Sequence, residues 1–459
     1  MLNSRHTLRL LPLLLAATLF AGCASLTRSD YATPAADTPA AWSHSATPGS
    51  TAPAQWWSAF NDAQLNTLID EALTRNTNLA AAAIKLRRAQ LNAGLAEDAL
   101  LPAASASLGN TQSRTLKNGG TITRSNSARA ALSWEADLWG HLGHARDAAQ
   151  WEAQATAQDR EASALSLTGS TATLYWKLAW LNQRIALSAQ NIAYAERTLL
   201  LAQNKLAAGA VSKLDVLQTE QDLASQRASA TQLEQQREEA RTAFALLFDG
   251  APQRRFEEPQ NLPAGALPEV AAGLPAALLG NRPDLRATEL RLRSTLATGD
   301  ATRTSYYPSL SLTGSLGSSS TTLRQVLNNP VAALATDLAL PFLQYKEMKL
   351  KNGIARADYD LAVVEFRQTL YTALGDVENA LSARRQYVLQ GEQLEKSFAA
   401  AQAAEKINEL RYRAGSIPLQ TWLDSQQSRR SAEAALADNR YNQFASHATL
   451  SLALGGSAN

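Results

Sequence analysis

The stretch Ile185–Leu223, IALSAQNIAYAERTLLLAQNKLAAGAVSKLDVLQTEQDL, decides the fold. Ile185, Ser188, Ile192, Ala195, Leu199, Ala202 and Leu206 recur in steps of three and four. That spacing keeps one apolar stripe turned toward a neighbouring helix, as in a coiled coil. The seam stops at Ala207, Ala208 and Gly209. Glycine accepts the left-handed backbone that ends a helix. Ser212 then reads as an N-cap, with Asp215 as an acidic variant of the capping box. Leu214, Leu217, Gln221 and Ala224 carry a second helix away. The stretch predicts two long helices meeting at a tight turn.

The pattern returns downstream. Leu410–Leu423, LRYRAGSIPLQTWL, aligns with Asn204–Leu217, placing Gly415 on Gly209 and Leu423 on Leu217. Pro418 suits an early helix position, where its missing N–H costs nothing. Asn281–Leu285 aligns with Arg75–Leu79, Tyr307–Leu312 with Leu101–Ala106, and Ala172–Leu178 with Gly375–Leu381. Two copies of a unit of roughly 200 residues follow, each within ordinary domain size. Each copy runs helix, two strands, very long helix, tip, helix. Residues 56–250 are the first copy and 251–273 a Pro- and Gly-bearing linker. Residues 274–459 are the second copy with a C-terminal segment.

The first 22 residues have the form of a signal peptide. Arg5 and Arg9 form its positive end, and Leu10–Phe20 is too short an apolar run to span a bilayer. Ala21 and Gly22 precede Cys23, the arrangement of a bacterial lipoprotein cleavage site, so Cys23 is expected to be lipidated. It is the one cysteine, which excludes an internal disulfide. Ala24 stands where an inner-membrane retention signal would need Asp, which points to the outer membrane. Residues 23–55 read as a lipidated tether rich in Ala, Pro, Ser and Thr. Trp56 and Trp57 are expected to pack that tether onto helices, with Asp62 as the first N-cap. Removing the leader leaves 41 basic and 41 acidic residues, so no polyanionic partner is implied and no nucleic-acid motif is present.

After Pro102 the period changes to two. Ala104, Ala106 and Leu108 alternate with Ser105, Ser107 and Gly109, and a turn follows at Asn118-Gly119-Gly120. Ala130, Leu132, Trp134, Ala136 and Leu138 then alternate with Arg129, Ala131, Ser133, Glu135 and Asp137. The second copy supplies Leu310, Leu312, Gly314 and Leu316, then Leu334, Thr336, Leu338 and Leu340. Such alternation marks a membrane strand with lipid on one face and water on the other. Trp134 and Trp139 suit an aromatic girdle. A small soluble sandwich would use four strands too, but not with a signal peptide and helices of roughly 65 residues, on the order of 100 Å. Four strands cannot close a barrel, and lipid does not tolerate open sheet edges. The chain must oligomerise: two copies give eight strands, three give twelve and a water-filled lumen.

These features together resemble the outer-membrane efflux ducts of the TolC/OprM family, in particular their NodT-like lipoprotein branch. The opening Trp57, Phe60-Asn61-Asp62, Leu65, Leu68-Ile69, the Asn281-Arg282-Pro283-Asp284-Leu285 signature, Tyr307–Leu312 and the two Ala-Gly turns carry the likeness. The resemblance implies a mainly α protein with membrane β. As a homotrimer it would form a 12-stranded β-barrel on a 12-helix α-barrel, with the linker and both termini in an equatorial belt. It implies a periplasmic adaptor and an inner-membrane pump of the resistance–nodulation–division class as partners. By position, Ala208, Gly209, Ser212, Asp215 and Leu217 would form one adaptor-docking turn. Arg413, Ala414, Gly415, Ser416 and Leu423 would form the other. Ile417 and Pro418 stand where relatives can carry an acidic residue, so an apolar closure is expected.

No catalytic chemistry is legible. There is no phosphate loop, no isolated acid–base pair and no cofactor motif. His141 and His144 lie a turn apart without a third ligand, and read as a solvated face. The expected function is a passive exit duct for small toxic compounds. A type I protein-secretion duct is the rival within that class. A lipid-anchored coiled-coil scaffold without a pore is the rival outside it.

Overall fold

The computed structural model describes residues 26–44, 55–116, 120–270, 272–273, 275 and 278–456. The leader, Cys23 and the Asn118-Gly119 part of the first turn lie outside them. The elements are α1 (Ala63–Arg75), α2 (Thr77–Asp98), β1 (Ala103–Arg114), β2 (Ile122–Ala136), α3 (His141–Ala207) and α4 (Lys213–Leu246). After the linker come α5 (Leu278–Asn281), α6 (Pro283–Thr304), β3 (Ser309–Ser320), β4 (Val331–Ala339), α7 (Tyr345–Arg413) and α8 (Leu419–Ala453). Element bounds recur at one offset: β1 and β3 differ by 206 at both ends, as do the end of α3 and that of α7, and the starts of α4 and α8. Both long helices are continuous, 67 residues in α3 and 69 in α7.

The chain folds into two compact units that cut across the repeat. One holds residues up to Ala36, Ile84–Gln158 and Ala287–Thr369. It contains one antiparallel sheet of order β1-β2-β3-β4. The register brings Leu132 opposite both Ala104 and Gly314, and Ala130 opposite both Ala106 and Leu316. It also sets Leu310 against Leu338. The apolar residues expected toward lipid therefore share one sheet face, and Arg129, Glu135 and Asp337 lie on the other. β2 begins earlier than the alternation predicted, at Ile122, while Leu138 and Leu340 fall outside the strands.

In the same unit the tether segment is pinned rather than loose. Ser29 donates from N and Oγ to Asp300 at 2.7 Å each, and Arg28 pairs with Asp147. The Thr27 hydroxyl bonds the Trp139 carbonyl at 2.8 Å and lies 3.1 Å from His144 Nε2. This covering overturns the solvated-face reading of the two histidines. His144 is buried, and His141 Nδ1 lies 2.9 Å from the Ala301 carbonyl.

The other unit comprises Asp37–Ala83, Asp159–Arg286 and Leu370–Asn459. Its core is aromatic: Trp176 packs against Phe60 (4.8 Å between centroids), Phe444 (5.0 Å) and Trp56 (6.2 Å). The Trp56–Trp57 pair is buried here, as expected of a packing role. Asp62 caps α1 by accepting from Leu65 N, and also accepts from the Tyr175 hydroxyl. Gly169 lets α8 approach α3 closely, because a Cβ there would collide with Leu452. Of the stripe predicted in α3, Ala195 and Ala202 are buried and the other five residues half-buried; in α7, Leu370, Ala373, Val377 and Ala380 are buried. The linker is fastened by guanidinium groups. Arg384 donates to Pro268 O at 2.6 Å, Arg440 to Pro263 O at 2.9 Å, and Arg241 pairs with Glu258.

Arg384 Nη1 also lies 3.0 Å from Nδ1 of the buried His447. Burial, and secondarily the Arg384 charge, lower the His447 pKa to about 3. The unfolded value is about 6.5. Between those values the unfolded chain binds a proton that the folded chain excludes. The stability due to neutral His447 is complete above about pH 6.5 and falls as pH drops through that window, by up to about 1.4 kcal/mol per pH unit. His447→Gln should flatten the fall in melting temperature on acidification from neutral pH. An unchanged slope would mean that other groups set it.

Candidate functional site

Both helix turns end in the same backbone motif. Gly209 has φ +71° and Gly415 φ +74°. Gly209 N donates to Leu206 O and Ala210 N to Lys205 O (2.9 and 2.8 Å). Gly415 N donates to Tyr412 O and Ser416 N to Arg411 O (3.0 and 2.8 Å). This crossed pair satisfies the last helical carbonyls and needs left-handed backbone at the glycine. A Cβ at either glycine would meet nothing within 4 Å, so backbone conformation alone requires glycine there.

The return helices start differently. Ser212 donates from N and Oγ to Asp215 Oδ2 at 2.9 and 2.7 Å, which forms the acidic half of the expected capping box. Pro418 is the N-cap of α8 rather than a residue inside it. Ala208, Gly209, Ser212, Arg413, Ala414, Gly415 and Ser416 are exposed. Leu217 is exposed at 50%, whereas its counterpart Leu423 is at 8%. Leu423 belongs to a cluster with Tyr412, Leu419 and Trp422, against which Ile417 packs half-buried. Of the second set of turn residues, Leu423 thus faces the protein interior. Tyr412 stacks on Trp422 at 5.0 Å, and Lys205 joins the two turns by donating to Tyr412 O while lying 4.1 Å from its ring. Burial raises the Tyr412 pKa, with Asp215 adding to it. The Tyr412 hydroxyl and Trp422 Nε1 are buried without a hydrogen-bond partner.

In the same unit the bundle carries a buried polar layer that sequence reading missed. Arg430 donates to Asp222 Oδ1 at 2.8 Å and to Gln427 at 3.0 Å. Arg429 is held by Glu405 (2.6 Å), Glu433 (2.7 Å) and Asn191 (2.7 Å). The Tyr194 hydroxyl donates to Glu409 at 3.2 Å, and burial, then Glu405 and Glu409, raise its pKa. Glu405 is buried in this layer. A run of charges on a long helix gives no period that would distinguish the buried ones. Among the described residues no group of three or more His, Cys, Asp or Glu could hold a metal, and no helix is long and apolar enough to cross a membrane.

On the sheet, Trp134 Nε1 donates to Leu100 O at 3.0 Å. Trp139 lies past β2 in the turn to α3. Its Nε1 donates to Pro308 O at 2.8 Å and its ring stands edge-on to Tyr307 at 5.4 Å.

A sheet with one apolar face, glycine-ended long helices and a doubled plan match one family model twice. The model for the outer membrane efflux protein family covers residues 68–248 and 274–456. The chain belongs to that family. It is 32% identical to the pyoverdine export outer membrane protein OpmQ of Pseudomonas putida, over 91% of this chain and 92% of that one. It is 30% identical to toxin and drug export protein A of Aggregatibacter actinomycetemcomitans, over 84% and 85%. Its fold matches the outer-membrane channel OprN with a TM-score of 0.85 at 25% identity, covering 94% of this chain and 99% of that one. This outer membrane efflux protein is a non-catalytic channel, an exit duct of efflux-type systems. Channels of this fold assemble as trimers, so four strands per chain give a barrel of twelve. The family is associated with tripartite systems of adaptor and inner-membrane pump.

Proposed function

We propose that this chain is the lipid-anchored exit duct for small toxic compounds in a tripartite system, fed by a proton-driven inner-membrane pump through a periplasmic adaptor. The observation that carries the reading is the matched pair of glycine turns with exposed rims. Ala208, Gly209, Ser212, Asp215 and Leu217 form one docking turn; Arg413, Ala414, Gly415 and Ser416 form the other, with Leu423 supporting it from behind. The unpartnered Tyr412 hydroxyl and Trp422 Nε1 support a mouth that rearranges on contact. Ile417 and Pro418 form the apolar closure. Cys23 carries the lipid in the outer membrane, and the strand-end tryptophans Trp134 and Trp139 mark the membrane boundary. The boundaries 56–250, 251–273 and 274–459 are the working division of the mature chain. Nothing in the chain couples energy, so conduction is passive.

A second reading, a type I protein-secretion exit duct, draws on the word toxin in the name of the Aggregatibacter relative, toxin and drug export protein A. The deciding experiment measures conductance of the purified, detergent-extracted protein in a planar bilayer, with its oligomer mass and the acyl mass on residue 23. The expected result is a trimer with discrete steps that enlarge when the turns are loosened, and a mass loss in Cys23→Ser. A monomer that never conducts would overturn the duct; unacylated wild-type protein would overturn the anchor alone. Drug susceptibility of a strain lacking the protein separates small cargo from protein cargo.

A further inference from the structure

Apart from Glu135 and Asp337, near the ends of β2 and β4, the charge on the membrane sheet is of one sign. From Ala99 to Trp134 and from Ala301 to Thr336 the sequence contains no Asp or Glu. The basic residues of these stretches are Arg114, Lys117, Arg124, Arg129, Arg303 and Arg324. Some arginines pair with acids: Arg282 with Asp284 and Asp376, Arg293 with Glu289, Arg303 with Asp300. Arg114, Arg124 and Arg129 are exposed, and none of their side chains makes a hydrogen bond or ion pair with a described residue.

The register separates these three. Arg124 sits opposite Gln112, and Arg114 opposite Ile122, in the same even-numbered rows as Leu108, Leu132 and Trp134. Arg129, opposite Ser107, is on the water face. Along β2, Arg124 is ten residues from Trp134. At ~3.3 Å per residue and a tilt of 35–45°, that spans about 25 Å of height, the thickness of the apolar band of an outer-membrane barrel. With Trp134 at one edge of the band, Arg124 and its diagonal neighbour Arg114 reach the other edge on the lipid side. The polar pair Asn110–Asn126, bonded side chain to side chain at 2.7 Å, comes just before them.

A cation there has no partner among the described residues and stands at the height of the headgroups. The guanidinium fork matches a phosphate with two parallel hydrogen bonds, which gives Arg its advantage over Lys at such sites. We propose that Arg114 and Arg124 form a phosphate-binding collar on the outer surface of the barrel, two arginines per protomer, that holds phosphorylated lipid headgroups of the outer leaflet. The collar sets the height of the barrel in the membrane from the side opposite Trp134.

The test uses the intact trimer in detergent with the bis-phosphorylated disaccharide lipid A added, and counts retained lipid by native mass spectrometry. The wild type should retain this lipid at least tenfold more strongly than R114Q/R124Q, while R129Q behaves as wild type. Lipid A stripped of both phosphates should bind the wild type no better than the double variant binds the intact lipid; this comparison needs no mutant to fold. R114K/R124K should fall between. Equal retention of phosphorylated and stripped lipid would overturn the collar, as would loss in R129Q in place of the double variant. Displacement of the lipid by millimolar inorganic phosphate would reveal a small-anion site and overturn it too. A conducting trimer without lipid retention would sink the collar and leave the duct intact.

Discussion

Arg430→Met destabilises the helix bundle by about 3–5 kcal/mol, the range for stranding one partner of a buried ion pair. Asp222 would then lose its two contacts with Arg430, at 2.8 and 3.4 Å, and keep, among the described residues, only a 3.4 Å hydrogen bond from Gln226. The Arg430 side chain is 7% exposed and that of Asp222 18%, so water cannot fully take over the lost contacts. The double change Asp222→Leu/Arg430→Met should recover most of the loss, because replacing both charges by apolar groups of similar volume is often neutral. The measurement is urea unfolding followed by tryptophan fluorescence at fixed protein concentration, paired with single-channel conductance. The single variant should unfold at lower urea and conduct in larger steps, and the double variant should return toward wild type in both. A double variant no better than the single would show that the layer acts through the Arg430–Gln427 hydrogen bond rather than through its charges.

Gly209→Val and Gly415→Val should each abolish transport while leaving the trimer assembled. Left-handed backbone costs an L-residue roughly 1–2 kcal/mol, and a β-branched one more. There is open space around both Cβ positions, so packing adds no penalty. The chain can relieve the strain only by unwinding the crossed hydrogen bonds, which moves the exposed rim. Asn tolerates this conformation better than other non-glycine residues, so Gly209→Asn and Gly415→Asn should keep most of the activity. The check is drug efflux from cells together with cross-linking to the adaptor. A valine variant that cross-links as wild type would remove the docking role from that turn. An asparagine variant as damaged as valine would mean that the Cβ itself obstructs the partner.

The parts of the fold that were legible in the sequence answer to strong physical selection. Lipid on one side and water on the other force alternation, so the faces of β1 to β4 could be read from Leu108, Leu132, Trp134 and Leu316. The stripe through Ile192, Ala195 and Ala202 and the glycines at both turns were equally plain. The start of β2 was not, because Ile122–Ser127 is polar on both faces and no alternation remains there. Leu217 and Leu423 share a spacing and a role in the alignment. They part only because Tyr412 stacks on Trp422 and draws Leu423 inward, a tertiary event. His141 and His144 looked solvated because the groups they meet, the Ala301 carbonyl and Thr27, are more than a hundred residues away in sequence. Buried arginines such as Arg430 have the same local surroundings in sequence as solvated ones. The asymmetry between the two turns belongs to this second class.

The order β1-β2-β3-β4 also bears on how the protein comes to be folded. β1–β2 and β3–β4 are local hairpins, but β2 joins β3 by pairing Ala136 with Leu310, 174 residues apart. Closing that loop costs about 3 kcal/mol more entropy than closing the first hairpin. A lone two-stranded hairpin is marginally stable at best. The first copy, emerging alone, therefore carries two open strand edges until the second arrives. Nascent chains must travel with those edges protected, and a chain halted after residue 250 would reach the membrane with nothing to pair with.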